Sequence, residues 1–164
     1  MNDCWVIVAD GARARFMAYE RRTGGPPRAA LRLVESGRLS NPKHTVSGRR
    51  ATRKIKSGRD TGRGRIPPHG YTDHREPHEV ELLRRFASRI GERAAALVAA
   101  GKASSMVLVA DRRMLGLLRD ALEPVAKAGV KLRELAHDYT WCTARQLQLH
   151  LAENGLLPGA VHAV

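Results

Sequence analysis

The chain has 164 residues, 43% of them hydrophobic, enough for one domain with a real core; 4% aromatic content counts against a single-strand binder built on stacking platforms, which needs exposed aromatic faces. Twenty-nine Lys and Arg against 16 Asp and Glu leave a net charge of +13 and an isoelectric point near 11.0. Such a balance predicts salt-sensitive attraction to RNA, DNA and anionic membranes.

Cys4–Ala9 (CWVIVA) is an apolar run suited to a strand buried on both faces. Asp10-Gly11 marks a turn, and Ala14–Glu20 reads as a second strand. Thr23-Gly24-Gly25-Pro26-Pro27 marks another turn before Ala30–Ser36, a third strand with Leu31 and Leu33 on one face. Three strands with tight connections predict an antiparallel meander.

Residues 38–75 then interrupt the pattern. Eleven cations (Arg38, Lys43, Arg49, Arg50, Arg53, Lys54, Lys56, Arg59, Arg63, Arg65 and Arg75) face only Asp60 and Asp73, a net +9 of the chain's +13. With almost nothing apolar to bury, this stretch reads as a long mobile loop. Its charge is either solvated or meets a polyanion, of which nucleic acid is the commonest. Gly48, Gly58, Gly62, Gly64 and Gly70 let backbone approach phosphates, and the arginines can grip them bidentately. RNA contact through Arg49, Arg50, Arg53, Lys54, Lys56, Arg59, Arg63 and Arg65 is the leading expectation, ahead of a solvated loop and of anionic membrane.

A helix follows from about Pro77 to Ala100, with Val80, Leu83, Phe86, Ala87, Ile90, Ala94, Leu97 and Val98 making one stripe. Ser105–Ala110 is a buried strand, and Asp111 caps a helix carrying Met114, Leu115, Leu118, Ala121 and Leu122. Pro124 should end or kink that helix. Val130–Ala136 is a last strand, and Thr143 with Gln146 gives a capping box for a helix with Ala144, Leu147 and Leu151 inward. The order βββ, basic loop, αβαβα predicts an α/β fold, an RNase H-like mixed sheet with helices against it. A single domain would span 1–153, with a frayed tail over 154–164.

WVIVADGARARF, EPHEVELLRRFASRIGERAAAL, MVLVADRRMLGLLRDAL and, more loosely, LRELAHDYTWCTARQLQLHL resemble the bacterial family named for attachment to host cells. That family is similar to the middle domain of archaeo-eukaryotic translation release factors. The resemblance implies an RNase H-like fold and work at the ribosome. Release factors present a Gly-Gly-Gln tip on the loop between the third strand and the long helix. Here that loop holds no Gly-Gly-Gln; its densest glycine cluster, Gly58–Arg65, has no glutamine. The departure removes the warrant for peptidyl-tRNA hydrolysis, not that for binding ribosomal RNA. A host-attachment phenotype would be an indirect effect of a cytoplasmic protein.

Other chemistry has weaker warrants. Gly58–Arg65 lacks the strand–helix context of a dinucleotide site and the Lys-Ser/Thr of a P-loop, and nothing else calls for a cofactor. His69, His74 and His78, with Asp73, Glu76 and Glu79, form the one metal-like grouping, but Pro77 separates His74 from the helix. Asp10, Asp111 and Asp138 follow strands and would serve a metal-dependent nuclease if they converged. Each also has a local explanation as a turn or cap residue. No serine or cysteine sits in a nucleophile context. Trp5 and Trp141 should pack at the core edge. Cys4 and Cys142, too few for a disulfide framework, read as buried or partly buried thiols in a reducing compartment. No signal-peptide pattern and no run of about 18–20 apolar residues is present, so a cytoplasmic location is expected. The expected role is a non-enzymatic RNA- or ribosome-binding domain, against a nuclease or a cytoplasmic scaffold.

Overall fold

Six residues without a charged side chain suit a strand covered on both sides, and Cys4–Ala9 is one: all six are buried, as strand β1. The computed structural model describes residues 3–21, 31–42 and 75–157. β1 is the middle of a five-stranded sheet ordered β3-β2-β1-β4-β5. β2 (Arg13–Arg21) runs antiparallel to β1, and β3 (Leu31–Ser40) antiparallel to β2. β4 (Ser105–Ala110) lies parallel to β1, and β5 (Lys131–Ala136) parallel to β4. The helices are α1 (Arg75–Ala99), α2 (Arg112–Ala121), α3 (Glu123–Lys127) and α4 (Ala144–Glu153). The expected mixed α/β architecture, with an antiparallel meander and then parallel strands, is observed.

Side chains alternate across the pleat, so the sheet has two cores. Trp5, Ile7, Phe16, Met106 and Leu108 face Phe86 and Ile90 of α1 and Leu118 of α2. Cys4, Val6, Val8, Met17, Tyr19, Val107 and Val109 face Leu147 and Leu151 of α4 and Leu157 beyond it. α1 and α2 come close at Gly91, where an added Cβ would sit 2.5 Å from the Ala121 carbonyl oxygen. Both predicted caps form: Asp111 accepts from the Met114 N–H, and Thr143 and Gln146 make the reciprocal capping box.

Several boundaries differ from expectation. β3 continues past Ser36 to Ser40, so Arg38 belongs to a strand and not to the basic loop. Phe16 pairs with Gly37 and Met17 with Glu35, leaving Ser36 as the extra residue of a bulge. At Gly37 the Arg93 guanidinium lies where a Cβ would sit, so a larger residue there would displace the end of that side chain. α1 begins at Arg75, two residues before Pro77. As expected, the helix after Asp111 ends just before Pro124, at a Leu122 cap; Pro124 itself lies in the first turn of a separate short helix, α3, where its missing N–H costs nothing. The packed body also runs past Asn154-Gly155, since Leu157 is 4% exposed. The turn expected at Thr23–Pro27 lies outside the described residues. Among the described residues, no helix is long and apolar enough to cross a membrane.

Candidate functional site

The polar chemistry gathers where the β1–β2 turn, the end of β3 and the segment after β5 meet. Asp10 folds the turn: its Oδ1 accepts from the Ala12 N–H at 2.7 Å and the Arg13 N–H at 2.8 Å. Asn41, just after β3, donates its backbone N–H to the Ala12 carbonyl and its side-chain amide to the Gly11 carbonyl. The chain thus leaves β3 after Ser40 with Asn41 tied to that turn, and the basic segment follows in the sequence.

Arg15 is the buried centre of this end. Its position on β2, in register with Val8, points it to the α4 side of the sheet. Nε and one terminal nitrogen donate to Glu35 at 2.9 and 2.7 Å. The other terminal nitrogen donates to the carbonyls of Thr140 and Cys142, at 3.2 and 2.6 Å. A guanidinium that is 8% exposed is tolerable only with such partners. Arg38 also bonds Glu35, and the two arginines hold its carboxyl below the usual range, the Arg38 hydrogen bond contributing most.

Thr140, 2% exposed, joins the acids: its hydroxyl donates to Asp138 at 2.6 Å and lies 3.1 Å from Asp10. Between the two carbonyls held by Arg15 stands Trp141. It is 78% exposed, with the Arg13 guanidinium stacked on its ring at 3.3 Å. Nearby in sequence, Tyr139 stacks between His137 and His150, with ring centroids 4.1 and 4.5 Å away.

Against the sequence expectations, Trp5 packs as foreseen, buried with its indole N–H on the Lys102 carbonyl at 2.8 Å. Trp141 does not, because the turn it occupies projects it outward. Cys4 is buried, which raises its thiol pKa, and Cys142 is half-buried. Asp10 and Asp138 meet through Thr140, while Asp111 is engaged by α2. Among the described residues, no three His, Cys, Asp or Glu side chains form a group able to hold a metal ion. The nuclease reading gains no support from them. Arg49, Arg50, Arg53, Lys54, Lys56, Arg59, Arg63 and Arg65 lie outside the described residues, as do His69, His74 and the Gly58–Arg65 cluster.

Sequence reasoning missed Arg15, Thr140 and Trp141. The one available signal was an arginine set between the apolar Ala14 and Phe16 of a strand, which demands a buried acid and carbonyls from elsewhere.

A profile of the family described as "Protein required for attachment to host cells" matches residues 5–151. No curated protein matches the chain.

Proposed function

We propose, from the premise that the chain belongs to the family of proteins required for attachment to host cells, that it is a non-enzymatic RNA- or ribosome-binding domain. In this reading it is a relative of the release-factor middle domain, RNase H-like in fold and without the Gly-Gly-Gln tip. The observation that carries the reading is the charge: +9 of +13 between positions 38 and 75. The order β3-β2-β1-β4-β5, a meander followed by parallel strands, is compatible with that fold. The basic segment also joins β3 to α1, the connection on which release factors carry their tip. Attachment to a host would then be a downstream consequence of work inside the cell.

The test replaces Arg49, Arg50, Arg53 and Lys54 together with Ala and measures binding to ribosomal RNA across a salt series. If all four meet phosphates, affinity falls and the slope of log K against log salt flattens by up to about 3. Unchanged affinity and slope would remove the basic segment from the interface.

A further inference from the structure

We infer that Trp141 is a stacking platform for one unpaired nucleobase of a single-stranded RNA, a contact distinct from the basic segment. The inference rests on the RNA-binding reading above and adds to it a recognition element that charge alone does not supply.

A lone exposed apolar side chain is ordinary; the way Trp141 is held is not. Arg15, itself buried, hydrogen-bonds the carbonyls on both sides of it, those of Thr140 and Cys142. Thr140 is fixed further by Asp138, through both its N–H and its hydroxyl, and the Cys142 N–H closes on the Tyr139 carbonyl. The backbone under the indole is therefore clamped before any ligand arrives, which lowers the ordering cost of binding. Arg13 stacks on one ring face at 3.3 Å. An indole that is 78% exposed has the other face open to solvent.

Electrostatics selects the occupant. Of the acids of this end, Asp10 and Glu35 are engaged by Arg13, Thr140, Arg15 and Arg38, and the exposed Asp138 accepts from the Thr140 N–H and hydroxyl. Arg38 and Arg145 are exposed. Asn41 binds the Gly11 and Ala12 carbonyls next to Arg13, so β3 ends against the turn that carries Arg13, and the basic segment follows in the sequence. Stacking on one face with a guanidinium behind the other suits a flat, electron-rich base, and it needs that base unpaired.

The test uses the full chain, a single-stranded RNA 12-mer, the same sequence as a duplex, and an abasic 12-mer of equal charge. The expected result is quenching of the Trp141 fluorescence by the single strand, read as the difference between wild type and Trp141→Phe. Trp141→Ala should weaken single-strand binding about tenfold while leaving the salt slope unchanged, since no charge is lost. Trp141→Phe should recover part of the loss, and the abasic strand should bind wild type and Trp141→Ala alike. Equal single-strand affinity of wild type and Trp141→Ala, without quenching, would overturn the platform while leaving the basic segment as the interface. Equal weakening for the abasic strand would overturn base stacking in favour of a sugar or backbone contact. Failure of wild type to bind any of the three RNAs would overturn both readings together.

Discussion

The two faces of the sheet are closed in different ways. Three helices cover the side of Trp5, Ile7 and Phe16, and the core there is apolar throughout. One ten-residue helix and the segment around Leu157 cover the side of Val6, Val8 and Met17. At its end that second face is closed by ionic and backbone hydrogen bonds radiating from Arg15. Dispersion and burial seal the first face and are indifferent to pH; the second depends in part on charge. The polar closure also fixes the backbone that carries Trp141, so the less completely covered face is the one that displays chemistry.

That contrast can be broken from either side. The largest effect is expected from Leu118→Ala, at a fully buried position on the three-helix face: a loss of about 2–5 kcal/mol in denaturant unfolding, the same at pH 7 and pH 4. Glu35→Gln, on the other face, should cost about 1–3 kcal/mol at pH 7, because it leaves the buried Arg15 guanidinium without its counter-charge. The Glu35 carboxyl is held below its ordinary value, so its contribution is complete above about pH 4.3. It is lost as pH falls through the lowered folded value, and the gap between wild type and Glu35→Gln should close there. A gap that widened in acid would refute the polar closure. The smallest effect belongs to Thr143→Ala, which removes the capping box of α4: about 1 kcal/mol.

What the sequence made legible follows the range of the forces involved. β4 was readable to the residue and β1 likewise, because a run such as SMVLVA leaves few other fates. The caps at Asp111 and Thr143 were readable because their partners lie three residues away. β3 was cut short because Gly37 and Arg38 look like loop residues; the group packed over the glycine is Arg93, on another element. The site was hardest. Thr140 and Asp10 are 130 positions apart, and Arg15 reaches Cys142 across 127, so no local pattern announces either contact. Trp141 was placed inward by its hydrophobicity, and only the turn that Arg15 holds turns it outward.

The most direct measurement is sedimentation of the tagged chain through a sucrose gradient of its own cell lysate, with and without nuclease, at two salt concentrations. Co-migration with ribosomal particles at moderate salt, lost after nuclease and lost in the variant with Arg49, Arg50, Arg53 and Lys54 replaced by Ala, is the expected result. Migration only as a small free protein at both salt concentrations would contradict an RNA- or ribosome-binding role, and would favour a scaffold whose partners survive nuclease.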